Sequence, residues 1–351
     1  MNFKSILLGA ALAVSPVFGF ADSNIKMVVG TYTDAGSQGL YSFSFDQSTG
    51  KASGITSLKV DNPSYFTFSK DGRNIYAVSE KNNATAVLNS IGYDPVNGTF
   101  AFKNSQLTHG GDPCYVSTDG KIALTANYSG GTISVFPILK NGTLDKSLLQ
   151  LGSVKGGPNR SRQNTPHAHC AIFAPDGYIL TTDFSGDRLL CFSYNKRDKK
   201  LEDHDIAAHV KPGSGPRHLV FSPNGRYAYL MNELSGKVIV YSYSDGKLKE
   251  LQSIAADNAN AHGGADIHVS PDGMFVYTST RLKGDGITIF RVGNKGTLTR
   301  VGAQLTGKHP RNFAITPNGN FLLVACRDDN SIQVYSRDKD TGLLKNTHQD
   351  I

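Results

Sequence analysis

From about residue 24 to the end, the chain alternates short apolar runs with polar punctuation, and no stretch sustains an apolar period of 3.6 residues. Runs such as "LVF" and "YAYLM" in "LVFSPNGRYAYLMNE" (219–233) are strand-length and rich in aromatic and aliphatic residues. Each is followed by Asp-Gly or Asn-Gly and a second apolar run, a hairpin signal in which both turn positions are expected at positive φ. The pattern recurs in "FTFSKDGRNIYAVSE", "YVSTDGKIALTANY", "AIFAPDGYILTTDF", "IHVSPDGMFVYTST" and "FAITPNGNFLLVAC". The turn glycines Gly72, Gly120, Gly177, Gly225, Gly273 and Gly319 stand 48, 57, 48, 48 and 46 residues apart. A third run follows each hairpin ("GTISVFPI", "GKVIVYSY", "NSIQVYSR"), then a fourth, more polar segment. Four strands in about 48 residues describe a propeller blade.

Before the first full unit, "IKMVVGTYT" and "GLYSFSFDQSTGK" match the second and third strands of a blade. Six units and this partial one predict an all-β fold, a seven-bladed β-propeller of four-stranded antiparallel blades. No segment after "LLKNTHQDI" supplies the inner strand of the partial blade. The expected closure is a permuted or shortened one in which residues 24–33 themselves provide the inner strand, with an open-ended solenoid as the alternative.

Residues 1–21 carry Lys4, an apolar run and small residues before Asp22, the pattern of a secretory signal peptide. The expected organisation is a leader over 1–21 and a single propeller domain over 22–351, in the periplasm or secreted. No other apolar run is long enough to span a bilayer. The net charge of +7 is dispersed, and the cluster "NKRDKK" (195–200) lacks the aromatic interleaving of a nucleic-acid site. Cys114, Cys170, Cys191 and Cys326 show no CxxC spacing and fall within apolar strands, so buried free thiols are expected rather than a zinc site.

Antiparallel pairing puts the start of each inner strand and the end of the second strand on the same face, beside the central channel. Counting eight residues back from the turn glycine gives Arg217 and Arg311; eight forward gives Glu80, Glu233, Arg281 and Arg327. The two irregular repeats place Asp112 and Asn127, then His167, His169 and Asp183, at the corresponding ends, and His218 follows Arg217. Arg, His and Glu around one concave opening suit an anionic substrate and a proton-transfer step.

With "GTYT" (30–33), "NPSYFTFS" (62–69), "ANYSGGTISVF" (126–136), "PHAH" (166–169), "GSGPRHL" (213–219), "MNE" (231–233) and "HPRNFAI" (309–315), the chain resembles the seven-bladed propeller lactonases. That family includes propeller-type 6-phosphogluconolactonases and carboxy-cis,cis-muconate cyclases. The resemblance implies hydrolysis of an anionic or sugar-derived lactone, with neither metal nor organic cofactor, at a site lined by His167, Arg217, Glu233 and Arg281. Glu233 or His167 would be the general base. His169, His218, Arg311, Asn127 and Asp183 are expected around the substrate. Thr280 stands where the family pattern has an asparagine before the arginine. Two alternatives stay open: a lactonising enzyme of the cyclase type, and an exported propeller that binds a protein or glycan without catalysis.

Overall fold

The recurring apolar runs resolve, in a computed structural model, into seven four-stranded sheets whose strands follow one another in sequence order. Residues 11–15, 22–34, 36–153, 155–257 and 259–351 are described. Blades 1 to 7 span residues 11–59, 66–107, 113–151, 168–209, 216–255, 264–305 and 310–346. Every pairing within a blade is antiparallel. First strands of successive blades contact one another around the centre, and the first strand of blade 7 closes against that of blade 1.

The register of burial follows the layering. Second strands such as Ile122–Asn127, Phe275–Thr280 and Phe321–Cys326 are buried at every residue, whereas fourth strands such as Leu298–Leu305, past a buried first residue, alternate between exposed and half-buried positions. Tyr229, Tyr277 and Tyr335 are fully buried among the apolar clusters between blades. At roughly 1.5–3 kcal/mol for a buried large apolar side chain, this interblade packing is the principal stabilising term. All four cysteines are free and buried. No helix among the described residues is long and apolar enough to cross a membrane.

The turns differ from the expectation in one respect. Gly72, Gly225, Gly273 and Gly319 lie at φ between 66° and 72°, but the Asp or Asn before each does not have positive φ. Gly72 N–H donates to Ser69 O and Ser69 N–H to Asn74 O, so the turn starts one residue earlier than a two-residue loop would. Only its last position needs the left-handed region, which glycine enters without a steric cost.

Asn24–Gly30 is the second strand of blade 1, and the inner position is taken by Ala11–Val14, paired Ala11↔Gly30 to Val14↔Met27. The expectation that residues 24–33 themselves form the inner strand is thereby overturned: Val28 and Val29 already pair on their other side with Ser42 and Tyr41. Leu12 is buried with Met27 and Val29, and its N–H donates to Asn312 Oδ1 of blade 7 at 2.7 Å. This strand lies inside the segment whose sequence has leader character; residues 1–10 and 16–21 of that segment fall outside the described residues.

Candidate active site

A local irregularity repeated around the ring aims the functional side chains. In blades 3, 4, 5 and 7 the hairpin ladder slips at the start of the inner strand. Pro113 faces Asn127 but Tyr115 faces Ala126; Ala168 faces Asp183 but Cys170 faces Thr182. Pro216 faces Asn232 but His218 faces Met231, and Pro310 faces Cys326 but Asn312 faces Ala325. The residue left over is Cys114, His169, Arg217 or Arg311. A bulge leaves one residue unpaired and turns its side chain out of the alternation. All four line one cavity of about 300 Å³. Facing them are the residues just past the second strands, Glu80, Tyr128, Glu233 and Arg281, with Arg162 from the loop before blade 4.

Glu233 is the electrostatic centre. Arg217 Nε lies 3.0 Å and Arg281 Nη2 3.0 Å from its Oε2, while Arg162 Nη2 lies 2.7 Å from Oε1. Burial works to raise this carboxyl, but Arg281, Arg217 and Arg162 together override it and hold it at about 2. The two inner arginines are themselves fixed by backbone carbonyls: Arg217 Nη1 donates to Ala265 O, and Arg281 to Gly263 O and Gly264 O. Burial brings Arg281 down to about 9, partly offset by Glu233. The segment ahead of Arg217 is pinned by Asp187, which accepts from Gly213 N–H and Gly215 N–H. Gly215 has φ 60°, and a Cβ there would press on Leu234 at 2.7 Å.

Across the cavity Glu80 accepts from Tyr32 OH at 2.9 Å and from Ser64. Arg311 lies over the Tyr32 ring, and its guanidinium makes no hydrogen bond or ion pair among the described residues. Four guanidiniums against two carboxylates leave the cavity with two surplus positive charges.

The histidines divide by position. His169 lines the cavity, its Nδ1 3.7 Å from Cys114 Sγ and its Nε2 without a hydrogen-bond partner among the described residues. Burial and then Arg217 push it well below the usual imidazole value, so it is neutral. His167 stands behind Tyr128, stacked on that ring at 4.0 Å, and is not among the cavity-lining side chains. Its Nδ1–H donates to Tyr128 O, leaving Nε2 to accept from Thr165. His218 lies beneath: Arg217 donates to its Nε2 and its Nδ1–H donates to Asp266 at 2.8 Å, which fixes the tautomer. Burial and Arg217 lower it to about 4.

Thus Glu233, Arg217, Arg281, Arg311 and His169 converge, with His167 and His218 one layer behind. Asn127 and Asp183 do not reach the cavity. Asn127 ties Thr132 and Ser134, and Asp183 holds Arg188 and Gly186 N–H, so both brace loops. The residue eight after Gly120 is Tyr128, and the same count that finds Glu233 would have found it. Arg162 belongs to no repeat; its only trace is the long 57-residue interval in which it lies.

The seven four-stranded blades make this a β-propeller, and residues 26–351 match the family model described as Lactonase, 7-bladed beta-propeller. The chain belongs to that family. The 6-phosphogluconolactonase of Bacillus subtilis (strain 168) is 35% identical over 329 residues, covering 90% of this chain and 92% of the relative. A crystal structure of a Bacteroides uniformis ATCC 8492 protein has a TM-score of 0.92 at 53% identity, covering 94% of this chain and 97% of its own. The Pseudomonas aeruginosa periplasmic gluconolactonase has a TM-score of 0.88 at 31% identity, with coverages of 94% and 96%.

Proposed function

We propose that the protein hydrolyses a sugar lactone bearing an anionic group, in the manner of a 6-phosphogluconolactonase, with Glu233 as general base. The cavity's surplus of two positive charges carries this reading, because an uncharged lactone would leave it uncompensated. Water attacks the lactone carbonyl carbon and passes a proton to Glu233. Arg217 and Arg281, fixed toward the same cavity, stabilise the oxyanion as the C=O bond opens. Collapse breaks the ring C–O bond, and Glu233 returns the proton to the departing ring oxygen, giving the open hydroxy acid.

We also place the protein outside the cytoplasm, a reading supported by the likeness to a periplasmic gluconolactonase. N-terminal sequencing of protein recovered from cell fractions tests that placement. For the reaction, pH-stat hydrolysis of 6-phosphogluconolactone and gluconolactone, corrected for spontaneous opening, should give turnover that Glu233→Gln lowers about 10²–10⁴-fold in kcat. Unchanged kcat in a variant with a native circular dichroism spectrum would remove Glu233 from the mechanism.

A further inference from the structure

The three arginines around Glu233 are not equivalent. Arg217 and Arg281 leave 2% and 6% of their side chains exposed, stand within a blade strand and directly after one, and are tied to backbone carbonyls; both contact Oε2. Arg162 leaves 37% exposed, stands on an interblade loop and is, among the described residues, the only partner of Oε1. Its backbone is nevertheless well anchored. The next residue, Gln163, is fully buried and donates to Phe184 O at 3.0 Å and Asp187 Oδ2 at 2.9 Å. A fixed base thus carries a solvent-reaching guanidinium at the cavity. Around that guanidinium are Tyr128 OH at 3.1 Å and the face of Phe184, 5.3 Å away.

We infer that Arg162 is a specificity-determining residue: its guanidinium passes from Glu233 Oε1 to the phosphate or carboxylate of the entering lactone, so that a charged substrate uncovers its own base. The inference rests on the proposed lactonase reading. A guanidinium fork matches a phosphate at least as well as it matches one carboxylate oxygen, so the exchange conserves a charge-assisted contact. Tyr128 and Phe184 offer the side chain partners in either position. Oε1, once released, has the lone pair that accepts water's proton, while Arg217 and Arg281 keep the carboxylate oriented through Oε2. The charged or titratable groups sharing the cavity with Glu233 are then Arg217 from blade 5, Arg281 from blade 6, Glu80 from blade 2, Tyr128 and Cys114 from blade 3, His169 from blade 4 and Arg311 from blade 7. An uncharged lactone leaves Arg162 in place and meets a covered base.

The test compares wild type with Arg162→Gln and Arg162→Lys on gluconolactone and its 6-phosphate. Arg162→Gln should lower the ratio of kcat/KM for the phosphorylated to the unphosphorylated lactone about 10- to 100-fold, mainly through KM for the phosphorylated one, with Arg162→Lys partly restoring it. With the unphosphorylated lactone, the acid limb of the Arg162→Gln pH profile should move to higher pH, because Glu233 has lost one cation; a brace without contact to substrate would not move both. An unchanged ratio and an unmoved acid limb would overturn the inference. Calorimetric titration with inorganic phosphate separates the two readings. Phosphate binding by wild type that Arg162→Gln weakens supports the Arg162 assignment even if no lactone is turned over, whereas equal binding in both, or none in wild type, counts against it.

Discussion

Glu233 and His169 are two proton acceptors on one cavity, and their surroundings give them opposite characters. Three guanidiniums keep Glu233 ionised at any pH above about 2, whereas burial and Arg217 keep His169 neutral. Neither group changes charge near neutrality, so hydrolysis by the resting site should be insensitive to pH from about 6 to 8. His167 has both ring nitrogens occupied and sits behind Tyr128. Replacing His169 by Gln should therefore lower kcat/KM by a larger factor than replacing His167 by Gln; the reverse order in steady-state kinetics would return the catalytic role to His167. At this scale the counting rule from the turn glycine located Arg217, Arg311, Glu233 and Arg281, because a strand of fixed length ends at a fixed place. It could not locate Arg162, which is positioned by Gln163 and Asp187 through contacts remote in sequence.

Among elements, the bulge at the start of the inner strand converts a structural repeat into a site. Three of the four bulged residues, Cys114, Arg217 and Arg311, follow a proline, which has no N–H to give to the ladder. Sequence alternation marks the strands but does not mark a one-residue slip, so it places Arg217, Arg311 and His169 at strand ends without the bulge that turns them into the cavity, and it marks Cys114, bulged in the same way, only as a buried thiol. The inner strand of blade 1 was hidden for another reason: Ala11–Val14 lies in a run whose composition equally suits a leader. Without it, Met27–Gly30 loses its ladder partner and Asn312 Oδ1 loses Leu12 N–H. A chain starting at Asp22 should melt at least roughly 5 °C below the full chain in differential scanning calorimetry, given a few kcal/mol of lost pairing and burial. Equal melting temperatures would mean that this strand contributes nothing to closure.

For the whole molecule, the converging inner strands bury ionisable groups at the axis, and this couples folding to pH. His218 and His169 are held neutral by burial and Arg217, His218 down to about 4, and burial and Arg281 lower His309 to about 3. An imidazole whose folded value is depressed takes up its proton in the unfolded chain first. Between about pH 6.5 and 4 the unfolded state therefore binds more protons, and stability falls as the pH falls. His218 alone corresponds to on the order of 3 kcal/mol across that interval. Glu233 stays ionised throughout it and contributes its own loss only below the ordinary carboxylate value of about 4.5, down to about 2. Urea denaturation should show stability declining steadily from about pH 6.5 down to about pH 4. His218→Gln, which retains a side-chain amide to meet Asp266 and Arg217, should flatten part of that decline. A wild-type profile level to pH 4.5 would show that the axial histidines are protonated in the folded ring, and with it that Arg217 is oriented by something other than the neutral imidazole of His218.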